Sequence, residues 1–146
     1  ICSAILCAAR TGKAELIELL VHHGADLQET DLNGETLVHK AAEAGNSALL
    51  EFLIQSGLDI NQRKGDEQDI QRAAETPLHY ATNNGHLTTI AKLIELGADV
   101  NAVEYFKGNT HSWCNTPLDL VSNNDSEVYK YLLAKGGVKY TDLNDS

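Results

Sequence analysis

Histidine and cysteine are the side chains here best suited to metal binding or nucleophilic chemistry. The chain has six histidines and three cysteines. His111 and Cys114 form the one pair with ligand-like spacing, H-x-x-C. A structural zinc site takes four such ligands, and the sequence offers no further two nearby. A Cys–His dyad would also need a third group to orient the imidazole, and none is evident. His39 and His79 occupy the same place in two copies of a helix-start pattern, and His86 follows a glycine in the second; all three read as structural. His22-His23 closes a helix-spaced apolar run, where a partly charged imidazole suits the dipole. No phosphate-binding glycine loop, H-E-x-x-H or nucleophile elbow occurs. The expectation is a non-catalytic chain that uses no metal and no cofactor.

Charge narrows the partners. Eleven basic against twenty-one acidic side chains leave a formal net charge of -10. That field repels a nucleic-acid backbone, and no basic stripe offsets it. A protein with a neutral or basic surface is the better match, although the charge also serves solubility. The longest apolar run, Ile1 to Ala9, is half of what a membrane span requires, so no membrane insertion is expected. Cys2, Cys7 and Cys114 form no C-x-x-C pair, and their odd number argues against a disulfide framework, which suits a reducing cytosol. The chain begins at Ile1 and lacks methionine, which points to a fragment or a processed product.

These residues are carried by an internal repeat. Gly24, Gly57, Gly97 and Gly136 each close a segment with apolar residues seven, four and three positions earlier. The residues are Ile17, Leu20, Val21; Leu50, Leu53, Ile54; Ile90, Leu93, Ile94; and Tyr129, Leu132, Leu133. That spacing puts each trio on one helical face. The glycine ends the helix by taking positive φ at little steric cost. A shorter helix precedes each: Thr76-Pro77-Leu78-His79-Tyr80-Ala81 is the clearest, with Thr76 as N-cap and Pro77 where a missing N–H costs nothing. Thr36 and Thr116 open matching segments, and Ser3 opens a weaker one.

Thr-Pro-Leu-His, then Gly85-His86, then Gly97-Ala98-Asp99-Val100-Asn101 resemble the signature segments of the ankyrin repeat. Gly24-Ala25-Asp26-Leu27 and Gly57-Leu58-Asp59-Ile60-Asn61 repeat the last of these. The resemblance covers nearly the whole chain and implies an α-helical solenoid. Antiparallel helix pairs would stack in an arc, with β-hairpin fingers projecting between them. The repeats fall at about 1-29, 30-62, 63-102 and 103-146, one domain in all. Such repeats are stabilised by their neighbours. The fourth ends in a polar tail, Lys139 to Ser146, suited to capping. The first shows Ile1, Ile5 and Leu6 without a polar cap, so weak self-association of a monomeric chain is expected there. In animal ankyrin proteins, asparagines at the place of Asn61 and Asn101 can be hydroxylated; the structural alternative is that each locks its own hairpin turn.

The period is 33 from Gly12 to Gly45 but 40 from Gly45 to Gly85. Seven extra residues lie between Asn61 and Thr76, and seven more between Asn101 and Thr116. Two consecutive fingers are therefore lengthened alike. The first long finger turns at Gly65-Asp66, with a helical turn expected over Asp69 to Ala74. The second holds Tyr105, Phe106 and Trp113, in a chain with few aromatics, and Gly108-Asn109 marks its turn. That turn would set Phe106 opposite His111 and Tyr105 opposite Ser112. Ankyrin proteins bind along the concave face and finger tips. Carried over, the partner-binding residues are Tyr105, Phe106, His111 and Trp113 in the second finger and Ile70 and Arg72 in the first. Lys40, Glu43, Tyr80, Asn83, Asn84, Leu120 and Asn123 would line the groove floor. The implied function is a cytoplasmic adaptor or inhibitor, or a pathogen effector acting in a host cytosol. The alternative is an ankyrin region from a larger enzyme or effector whose catalytic domain lies elsewhere.

Overall fold

The structure is a computed structural model and describes residues 4–64, 72–73, 75–107 and 112–144. The first three repeats are helix pairs: α1 (Ala4–Thr11) with α2 (Ala14–His22), α3 (Leu37–Ala44) with α4 (Ser47–Gln55), and α5 (Pro77–Asn83) with α6 (Leu87–Glu95). The fourth pairs a single 3-10 turn (Pro117–Leu120) with α7 (Glu127–Ala134), and α8 (Tyr140–Asn144) follows. Inner helices stack in chain order, α1 on α3, α3 on α5 and α5 on the 3-10 turn, while α4 lies between α2 and α6 in the outer row.

The spaced apolar trios form the core. Ile17, Leu50, Leu53, Ile90, Leu93 and Leu132 are fully buried, with Leu37, Leu78 and the small Ala41 and Ala81 between the rows. Truncating one such leucine to alanine costs about 2–5 kcal/mol. Ile5 and Leu6 are buried too, against the expectation that they form an exposed apolar end; Ile1 lies outside the described residues. The uncovered leucines of the first repeat are Leu16 and Leu19, 38% and 53% exposed. Leu16 occupies the place of Leu49 and Thr89, which are buried because a preceding outer helix covers them.

The inner segments of the second, third and fourth repeats start on a reciprocal cap. The Thr36 N–H donates to His39 Nδ1 at 3.1 Å, and the Thr76 N–H to His79 Nδ1 at 3.1 Å. With Nδ1 accepting, Nε2 carries the proton and donates onward, from His39 to the Glu75 carbonyl at 2.9 Å. His79 reaches the Asn115 carbonyl in the same way at 3.4 Å. In the fourth repeat Asp119 replaces histidine: Thr116 N–H and Tyr140 N–H both donate to its Oδ2, at 2.9 and 2.8 Å, which seats α8 as the cap. The glycine between helices has its own cause. Gly45 sits at φ 73°, and a Cβ there would meet the His86 ring at 3.1 Å. Around Gly85 nothing lies within 4 Å; the fourth repeat, which carries Asp125 at the place of His86, sends no ring back onto it.

The fingers depart furthest from expectation. Arg72–Ala73 forms a strand, β1, in place of the expected helical turn; Gly65, Asp66 and Ile70 lie outside the described residues. The second long finger is a hairpin of β2 (Glu104–Lys107) and β3 (Ser112–Asn115). Its register pairs Tyr105 with Cys114 and Phe106 with Trp113, two residues away from the pairing that a turn at Gly108-Asn109 would impose. Strand β1 pairs antiparallel with β2, giving one three-stranded sheet in the order β1-β2-β3. Two insertions of equal length thus meet edge to edge.

Neighbouring repeats are also tied outside the core. Asp26, Asp59 and Asp99 each accept from the N–H two residues on, and it is these aspartates that lock the local turns. Asn61 and Asn101 instead reach the next repeat. Asn61 Oδ1 accepts from the Asp99 N–H at 2.8 Å, and Asn101 Oδ1 from the Val138 N–H at 2.9 Å. Cys7 is disulfide-bonded while Cys114 is a free thiol. Cysteine usage therefore no longer argues for a reducing compartment.

Candidate functional site

Lys40, Tyr80 and Leu120 hold equivalent places in three inner segments. Two of them are spent on internal contacts. Lys40 Nζ lies 2.8 Å from Asp31 and bonds to Glu35. The Tyr80 hydroxyl is within donating distance of Glu35 Oε1 at 2.8 Å and Glu75 Oε2 at 3.2 Å. Lys64 Nζ reaches the same two carboxylates, at 3.4 and 3.2 Å, and sits 5.7 Å from the Tyr80 ring centroid. His39 meets that ring edge-on at 5.3 Å. Two cations, three carboxylates and a phenol thus form one half-buried cluster spanning repeats two and three.

The electrostatics follow from this closure. Burial alone would raise the Glu35 carboxyl, but its bonds to Lys40 and Tyr80 outweigh that and hold it below the usual carboxylate range. The same competition lowers Asp31, again through Lys40. Burial would depress the Lys40 ammonium, yet its bonds to Asp31 and Glu35 raise it. Tyr80 is pushed up by burial and by the Glu35 carboxylate that its hydroxyl faces. His39 is lowered by burial, and His79 is lowered to about 4 for the same reason. These groups are held in one protonation state near neutrality and are not poised for proton transfer.

The rest of the expected floor is open. Glu43, Asn83, Asn84 and Asn123 are exposed, and Leu120 is half-buried. On the finger sheet, Tyr105 and Trp113 are 42% and 47% exposed. They stand on opposite faces of the hairpin, since Tyr105 pairs with Cys114 and Trp113 is the next residue along. Arg72 and Phe106 are brought opposite each other in the backbone register, while Ile70 and His111 lie outside the described residues. The structure therefore gathers Arg72, Tyr105, Phe106 and Trp113 into one sheet by backbone pairing. Sequence reasoning missed Asp31, Glu35, Lys64 and Glu75. A signal existed, since Glu35 and Glu75 both immediately precede the capping threonine. Among the described residues, no group of three or more His, Cys, Asp or Glu could hold a metal ion, and no helix is long and apolar enough to cross a membrane.

Comparison with known proteins agrees with this architecture. The family model for ankyrin repeats (3 copies) matches residues 2–64 and 64–144. Diacylglycerol kinase iota of Rattus norvegicus is 34% identical over 42% of this chain and 6% of its own length. An L-asparaginase of Dirofilaria immitis is 35% identical over 40% of this chain and 10% of its own. The NF-kappa-B inhibitor cactus of Drosophila yakuba is 49% identical over 28% of this chain and 8% of its own. The chain spans a tenth or less of the length of these relatives. With the family model matching nearly every residue and four helical units stacked in register, this chain belongs to the ankyrin repeat family.

Proposed function

We propose that the chain docks a protein partner on its finger sheet, with Trp113 as an anchor on one face and Tyr105 on the other. Ankyrin repeats are protein–protein interaction modules, and that much follows from membership of the family. The finer reading rests on one observation: two large aromatics stand exposed on an insertion. Such side chains supply rigid area that is desolvated on docking. Arg72 and Phe106 are paired in the backbone register of the same sheet and stay in the set on sequence grounds, as do Ile70 and His111. Glu43, Asn83, Asn84, Leu120 and Asn123 extend it along the groove floor. Lys40 and Tyr80 stay in the set, with their polar ends bonded to Asp31, Glu35 and Glu75. The net charge of -10 favours a neutral or basic partner.

An adaptor, an inhibitor and a pathogen effector acting in the cytosol all use a surface of this kind. The likeness to an inhibitor by name supports the second. A further reading, an ankyrin region within a larger enzyme or effector, is supported by the kinase and asparaginase, which are named for activities and of which the match covers 6% and 10%. No catalytic step is assigned to the chain itself.

The test is capture of partners from lysate by the intact chain, by Trp113→Ala and by a chain lacking residues 103–113. A captured partner should bind Trp113→Ala weaker by about 2 kcal/mol, roughly thirtyfold. Recovery of the same proteins in the same amounts by all three baits would move the docking surface elsewhere.

A further inference from the structure

One side chain links two inner helices to the base of the first long finger. Glu35 ends the short first finger, yet its carboxylate meets Lys40 of α3, Lys64 at the base of the next finger and Tyr80 of α5. Lys64 is also where that finger closes: its backbone N–H donates to the Glu75 carbonyl at 2.7 Å. Two residues before Glu75 lies Ala73, which pairs with Tyr105 of β2. A second tie runs from Arg63 Nη1 to the Val103 carbonyl at 3.3 Å. A continuous set of contacts thus leads from the helices, through the ionic cluster, to the strand carrying Tyr105 and the one carrying Trp113.

We propose that Asp31, Glu35, Lys40, Lys64, Glu75 and Tyr80 form a latch that fixes the finger sheet against the stack, with Glu35 as its hub. These are positioning residues, and their consequence for binding rests on the docking role of Tyr105 and Trp113. Long insertions lose backbone entropy when a partner orders them. A latch that orders the fingers beforehand removes part of that cost. Its placement accounts for the internal bonds of Lys40 and Tyr80.

Trp113 is the only tryptophan in the chain, so its time-resolved fluorescence anisotropy reads the motion of the sheet without any partner. In the unaltered chain it should decay with whole-molecule tumbling. Lys64→Met should add a fast local component and speed amide exchange at Lys64 and Tyr105 by about tenfold, leaving α3 and α5 unchanged. Lys64→Arg should restore both readouts. Lys92→Met, which breaks the outer-helix pair with Glu51 (3.3 Å), should move neither. Unchanged Trp113 motion in Lys64→Met overturns the latch. So does exchange that accelerates equally through α3 and α5, because the cluster would then only stabilise the fold. If Lys64→Met does not fold, Tyr80→Phe removes a single hydroxyl and carries the same test. Capture lost in Trp113→Ala, together with unchanged motion in Lys64→Met, would leave the docking role standing and sink the latch alone.

Discussion

Tyr80 and Trp113 are both aromatics of the proposed docking surface, one on α5 and one on the finger sheet. Their surroundings differ. The Tyr80 hydroxyl faces two carboxylates, and its ring meets an imidazole edge and an ammonium. Trp113 keeps nearly half its surface in water. Facing a groove is therefore not evidence of availability: a polar side chain whose bonds are already made gains little from a partner that must break them. Exposed aromatic surface gains from docking through the area that is removed from water.

The largest effect that sharpens this contrast is expected at Glu35. Glu35→Ala leaves Lys40, Lys64 and Tyr80 without a shared acceptor and should destabilise the fold by about 3 kcal/mol in denaturant melts. A loss below about 1 kcal/mol would mean that the floor is only loosely engaged.

Acidification should act next, through the buried imidazoles. The unfolded chain takes up histidine protons near pH 6.5 and the folded chain, at His79, only near 4. Between these values the unfolded state binds more protons, so stability falls as the pH drops through this window, by an amount on the order of 3 kcal/mol for His79. His39, lowered by burial, adds in the same direction. The Asp31 and Glu35 carboxyls sit below their ordinary values, so their share is lost only at lower pH. A His79→Gln variant whose stability falls as steeply between pH 6.5 and 4 would refute this account.

Smaller changes separate the two aromatics directly. Tyr80→Phe deletes one buried donor and should cost about 1 kcal/mol. Trp113→Ala should cost about 1 kcal/mol or less, as is usual for a half-exposed position. A measured loss of about 3–5 kcal/mol would instead make Trp113 a packing residue and dissolve the distinction drawn here.

Much of the stack was legible because its determinants are local. A cap bond spans three residues, as from Thr36 to His39, and an apolar helical face repeats every three or four. The hairpin was legible in part, but its register was not. Gly108-Asn109 is a strong two-residue turn signal, yet pairing runs Lys107 to Ser112, which leaves four residues to the connection. Once β1 lies against β2, the neighbouring strand as well as the turn dipeptide constrains that register. The apolar first end was misjudged for a similar reason. Ile5 and Leu6 are covered by their own repeat and the next, and what lacks cover is the outer helix, at Leu16 and Leu19.

By itself the sequence determined which positions are equivalent: the threonine caps, the spaced leucines, the closing glycines and the two insertions of seven. Tertiary structure decided which atoms of one repeat meet those of the next. The Glu35–Tyr80 bond spans 45 residues, Asn61 to Asp99 spans 38 and His39 to Glu75 spans 36. A period shows that two residues occupy like places, but not how far apart stacking sets them or how a side chain turns between them. Bonds made across one full repeat depend on those two quantities, and both appear only when the helices pack.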